Sequence, residues 1–208
     1  MLHRILSFLA DKKNSSEKEI APAENPVYQR AEEIQERLLK DNIIFLGSPI
    51  NEEIATQIIA KFLFLEAERP GKEISLYINS PGGAVVETMA IYDTIKMTAS
   101  DVTTICIGQA SGTAALLVAC GTRGKRFAVR SARFQLVPIR RGNPHSGSPI
   151  EESREVERAR SVIENALSSA LHRSRKQIHM DMERGLVLTA EEALRYGFID
   201  KVIERTGM

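Results

Sequence analysis

Hydrophobic and polar positions alternate along this chain in blocks whose periods switch between strand and helix. AEEIQERLLKD, from Ala31, predicts a short helix with Ile34, Leu38 and Leu39 on one face. IIFLG (43–47) predicts a buried strand closed by Gly47. A strongly apolar helix follows over 54–68, with Ile54, Ile58, Phe62 and Leu65 spaced 4, 4 and 3 apart, and Pro70-Gly71 ends it. ISLYIN (74–79) is β-branched and of strand length; the helix after SPGG sets Val86, Met89, Ala90 and Met97 on one side. VTTICIG (102–108) predicts another strand and AALLVACG (114–121) an apolar helix, with short strands near 127 and over 133–139.

A long helix opens at Ser148-Pro149-Ile150-Glu151, where Ser148 can cap, Pro149 suits the first turn and Glu151 completes a capping box. Its apolar positions Val156, Ala159, Ile163, Ala166, Leu167, Ala170 and Leu171 keep 3–4 spacing. Thr189 and Glu192 repeat the box before a final short helix ended by Gly197, and FIDKVI (198–203) closes as a strand. Strands alternating with helices predict an α/β fold with a mostly parallel β-sheet and crossover helices.

Composition narrows the class without naming a function. Of 208 residues, 43% are hydrophobic and 26% charged, and 28 basic against 27 acidic side chains leave a net charge of +1. That balance argues against a nucleic-acid protein defined by bulk charge. No apolar run is long enough for a transmembrane helix, so no membrane partner is expected. Cys106 and Cys120 sit among apolar neighbours, which suits a reducing, cytoplasmic compartment, and no spacing offers a metal or cofactor site. Residues 1–25 read as a flexible tail ahead of one domain over 26–208, with partner docking or organelle targeting as the tail's alternative roles.

Two strand-to-helix turns could carry chemistry: Asn79-Ser80-Pro81-Gly82-Gly83 and Gly108-Gln109-Ala110-Ser111-Gly112-Thr113. In a parallel sheet both lie at the carboxyl ends of strands, where ligands bind. Paired glycines let backbone N–H groups approach an oxyanion or a peptide strand.

The segments RLLKDNIIFLG, FLFLEAERPGKEISLYINSPGG, IYDTIK, DVTTICIGQAS, GTRGKRFA and LTAEEALRYGFID together resemble ClpP, the proteolytic subunit of the ATP-dependent Clp protease, from about Glu36 to Ile203. The resemblance implies a crotonase-like α/β fold and seven-membered rings stacked around a chamber. It also implies a Ser-His-Asp triad that cleaves unfolded polypeptides fed in by an AAA+ ATPase. The long helix is similar to the family's projecting handle, a region spanning about 139–178, whose apolar stripe needs a partner.

Carried over position by position, the triad is missing. The family's serine is fifth in GQAAS; here the stretch ends in Gly112, with Ser111 one residue early. The histidine of R-x-x-x-H-Q-P, counted from Arg133, falls on Val137, and the aspartate of D-x-x-R-D falls on Gly185. A serine hydroxyl is a poor nucleophile without a base, and the base needs its orienting carboxylate. Gly82, Gly83 and Thr113 match the family's oxyanion and peptide-backbone cradle. Fold and cradle without triad resemble the silent ClpR-type subunits that share rings with active ClpP.

Other readings stand beside this one. Ser111 could serve with His145, His172, His179 or Asp181 as an unusual serine endopeptidase, although a one-residue shift on a tight turn swings its side chain inward. The chain could hold peptides or dock an ATPase alone, or use the Gly-Gly cradle for acyl-thioester chemistry. Seven basic residues lie between Gly121 and Ile150 (Arg123, Lys125, Arg126, Arg130, Arg133, Arg140, Arg141), with no acid among them. They could bind phosphate, but the expected reading is pairing with acids elsewhere, such as EESREVE at 151–157. Arg140 and Arg141 replace the family's glycines in the segment that pairs with substrate and the opposite ring.

Overall fold

A computed structural model describes residues 26–140 and 149–204. The chain divides into two compact units, 1–37 and 38–208, and helix α1 (Pro26–Lys40) runs across the boundary in sequence. Within the first unit Ile34 is exposed.

The second unit is a seven-stranded sheet wrapped by helices. Its central order is β1 (Ile43–Leu46), β2 (Ile74–Ser80), β3 (Val102–Ser111), β4 (Arg126–Val129) and β7 (Lys201–Ile203), every neighbouring pair parallel. The predicted parallel sheet is therefore what forms. One hairpin-like addition departs from it: β5 (Arg133–Gln135) joins β3 in parallel, and β6 (Val187–Thr189) pairs antiparallel to β5.

Crossovers between the parallel strands are helical, as their geometry requires. Helix α2 (Glu52–Glu68) starts two residues before its apolar run because the Asn51 side chain caps it, accepting from Ile54 N–H at 2.9 Å. Ala55, Ile58, Phe62 and Leu65 are its buried residues. Helix α3 (Val85–Met97) buries Thr88, Ile91 and Ile95, not the predicted stripe. Val86 and Met97 are exposed. The helix is apolar nearly all round, so periodicity could not choose its inner face.

β3 outruns its predicted end at Gly108. Gln109, Ala110 and Ser111 continue the ladder by pairing with Arg133, Phe134 and Gln135, and Ala110 also faces Ser80 on β2. The second candidate turn is thus strand through Ser111, followed at once by the wholly buried helix α4 (Thr113–Ala119).

Helix α5 (Pro149–Leu171) has the predicted span, while its cap at Ser148 lies outside the described residues. Its C-terminal half enters the core through Ile163, Ala166, Leu167 and Leu171; among the described residues before them, Val156 and Ala159 are half-buried. Helix α6 (Arg175–Glu183), capped by Ser174, was not predicted, because its polar sequence offers only Ile178 and Met182 to the core. Helix α7 (Ala190–Tyr196) carries the predicted Thr189–Glu192 capping box and ends at Gly197, whose φ of 104° an L side chain resists. β7 is shorter than FIDKVI, since Asp200 is drawn to Arg126 instead.

Charged groups gather where the parallel strands begin. Lys125, just before β4, pairs with Glu73, just before β2, and with Asp101, just before β3, at 2.9 Å. Arg126 Nη2 meets Asp200, just before β7, at 2.6 Å, and Arg126 N–H donates to the same carboxylate at 3.0 Å. Arg130 pairs with Glu204. Among the described residues Lys125, Arg126 and Arg130 find acids outside 151–157, while Glu155 and Glu157 pair with Arg158 and Arg160 of their own helix; the side chains of Glu151 and Glu152 lie outside the described ones.

Candidate active-site cleft

The candidate turns lie at the opposite, carboxyl ends of the strands, where ligands bind in an open parallel sheet. β2 leads into Pro81-Gly82-Gly83, β3 into Gly112-Thr113, and β5 into Leu136-Val137. The turn after β2 is knitted to Ile50, two residues before α2: Ile50 N–H donates to the Gly82 carbonyl at 2.9 Å and Ala84 N–H to the Ile50 carbonyl at 3.0 Å. A Cβ at Gly83 would stand 2.0 Å from the Ile50 carbonyl oxygen, so only glycine fits this approach.

Gly112 and Val137, far apart in sequence, are brought against each other, and the residue before Val137 is bonded to the residue after Gly185. Gly112 N–H donates to the Gln135 carbonyl at 2.8 Å, and Leu136 N–H to the Leu186 carbonyl at 2.9 Å. A Cβ on Gly112 would come within 3.1 Å of Val137 Cγ2, whereas at Gly185 a Cβ would meet nothing within 4 Å. Gly112 has φ 56° and ψ −125°, a backbone that positions a side chain sharply at a strand-to-helix corner. Glycine holds it without Cβ strain.

Ser111 is half-buried at the last position of β3, one residue before that corner. Two of the residues suggested as its helpers, His179 and Asp181, are engaged elsewhere. His179 sits on α6, its Nδ1 2.7 Å from Glu164, which also accepts from Arg175 Nε at 2.8 Å. His172 is exposed just after α5, at φ 49°, and His145 lies outside the described residues. Asp181, buried on α6, accepts from the Tyr196 hydroxyl at 2.5 Å and from Gln177 Nε2 at 2.8 Å, with Arg184 beside it. Burial pushes the Asp181 carboxyl up, but the Tyr196 and Gln177 hydrogen bonds and the Arg184 charge together hold it below its ordinary value. The same pairing, with burial leading, raises the Tyr196 hydroxyl.

The paired glycines form the expected turn, and its N–H groups have acceptors within the chain. Gly82 N–H donates to Ser80 Oγ at 3.1 Å and Gly83 N–H to Thr113 Oγ1 at 3.0 Å. Ser80, within the first candidate turn, and Thr88, which no motif in the sequence marks, are both fully buried beside the glycines. Thr88 left one signal, a hydroxyl in register with the buried Ile91 and Ile95. Cys106 and Cys120 play no part in the cleft; burial pushes their thiols up to about 11 and about 12, which keeps them protonated and unreactive. Among the described residues no group of His, Cys, Asp and Glu is arranged to hold a metal ion, and no helix is long and apolar enough to cross a membrane.

Fold and cleft define a crossover α/β protein with glycine turns at the carboxyl ends of its central strands. Residues 26–206 match the family model described as Clp protease, and the chain belongs to that family.

Proposed function

We propose that this chain is a ClpP-like subunit with no peptidase activity of its own, a structural or regulatory ring member beside an active paralogue that supplies the serine. Gly112, Val137 and Gly185 at the three triad-equivalent positions carry the reading: two have no side chain, and valine cannot move a proton. Gly82, Gly83 and Thr113 are what remains of the oxyanion cradle. The fold is read as crotonase-like, with residues 26–208 as one domain behind the 1–25 tail and α5 as the handle. Partners are then other ClpP-family subunits, a Clp-type AAA+ ATPase and unfolded polypeptides in a cytoplasmic assembly. The exposed Val86 and Met97, and the α5 positions left outside the core, support association, since apolar surface in water favours a partner.

The test pairs hydrolysis of a short fluorogenic peptide with size by light scattering, on protein freed of host ClpP. The expected outcome is a particle well above the 23.1 kDa chain with no turnover, unchanged by Ser111→Ala. Turnover that Ser111→Ala abolishes would instead establish a serine endopeptidase built on Ser111.

A further inference from the structure

Three consecutive backbone donors line the turn after β2, and each is already bound inside the chain. Gly82 N–H donates to Ser80 Oγ, Gly83 N–H to Thr113 Oγ1 and Ala84 N–H to the Ile50 carbonyl, at 3.1, 3.0 and 3.0 Å. The outer two are fixed. Ser80 Oγ is anchored by its own donation to the Ser48 carbonyl at 2.7 Å, and Ile50 forms a parallel bridge with Gly83. The middle bond hangs on one side-chain torsion, that of Thr113.

Thr113 is well supported in this pose. Its Oγ1 lies 2.9 Å from Thr88 Oγ1, which in turn lies 2.8 Å from the Ala84 carbonyl, and both threonines are buried. Each hydroxyl has one proton to give, and each has an acceptor within the chain. Gly83 N–H donates to Thr113 Oγ1, the Thr88 hydroxyl is shared between Thr113 Oγ1 and the Ala84 carbonyl, and the Thr113 hydroxyl reaches the Gly83 carbonyl at 3.4 Å.

We infer that the Thr113 hydroxyl is the resident ligand of the Gly83 N–H and holds the cradle closed to the carbonyl oxygen of an incoming peptide. An entering carbonyl must displace an acceptor already in place and leave a buried hydroxyl pair to find a new arrangement, which costs free energy. The inference rests on reading Gly83 and Thr113 as the cradle, and it adds a second source of silence to the missing triad. Thr113 acts here as a positioning residue, through the donor it occupies.

Residue-resolved amide hydrogen exchange on the full chain tests it. Thr113→Val removes the hydroxyl while keeping the shape, Thr113→Ala removes it with no added bulk, and Thr113→Ser restores it. The Gly83 amide is expected to exchange about tenfold faster in the Val and Ala variants and near the parent rate in Ser, the scale of one lost hydrogen bond. The Gly82 and Ala84 amides, whose acceptors are untouched, serve as internal controls for global loosening. Gly83 exchange within about twofold of the parent in both variants would overturn the inference. If Val does not fold, Ala alone decides. Peptide turnover by the parent chain would overturn the silent-subunit reading and leave the Gly83 result standing, so the two failures are distinct.

Discussion

Arg126 shows what a single side chain contributes to this fold. It is buried beneath the sheet, donates from Nε to Asp200 at 2.9 Å and from Nη1 to the Gly197 carbonyl at 3.0 Å, and so ties β4 to the chain entering β7. Asp200→Asn leaves that guanidinium buried without a countercharge, and is expected to cost about 3 kcal/mol in denaturant unfolding, the scale of a broken buried pair. The pair also sets an acid limit. Hydrogen bonding from Arg126, against a smaller opposing effect of burial, holds the Asp200 carboxyl below its ordinary value. A lowered folded value gives stability that is present above the unfolded carboxylate pKa of about 3.9 and lost as pH falls through the folded one. Unfolding free energy is therefore expected to drop below about pH 4 in the parent, and less steeply in Asp200→Asn. At this scale the sequence was informative wherever a residue type alone decides the matter. Glycine at 112 and 185 and valine at 137 can be read directly, whereas the contact of Thr113 with Gly83 and Thr88 depends on rotamers set by segments brought together only by folding.

Among the elements, long periodic ones were legible and short or two-sided ones were not. The spans of α2 and α5 follow from their stripes and caps. α6 is too polar to stand out, β6 is three residues long, and α3 presents apolar residues on both sides, so only packing tells its inner face. β3 was cut short because apolarity fades at Gly108, yet its ladder continues through backbone pairing that no side-chain pattern records. α5 divides into two regimes. Leu167 is fully buried, and Leu167→Ala is expected to destabilise by about 3 kcal/mol, as for other core leucines. Val156 is half-buried, so Val156→Ser is expected to change stability by less than about 1 kcal/mol. Chemical denaturation of both variants checks the division. Similar losses would mean that the whole helix is core.

For the molecule as a whole, several large apolar side chains of the described residues lie open to water. Leu63 and Phe64 are more than half exposed on α2, as is Val86 on α3, and Met97 is 86% exposed. A chain whose folded core already excludes these residues gains little from them alone. If they serve assembly, Leu63→Lys with Phe64→Lys is expected to shrink the light-scattering particle while leaving the far-ultraviolet circular dichroism intact. An unchanged particle would assign the contact to another face. Partner identity was beyond reading from one sequence, because such a surface states that something covers it and not what.

The ion pairs of Lys125 and Arg126 have a consequence for how such a protein evolves. They clasp the starting ends of four neighbouring parallel strands, while the cleft occupies the finishing ends. Foundation and workshop are thus at opposite rims of one sheet. Substitutions at the finishing rim leave the clasp untouched, so the residues that line the turns can change while the building block stays sound.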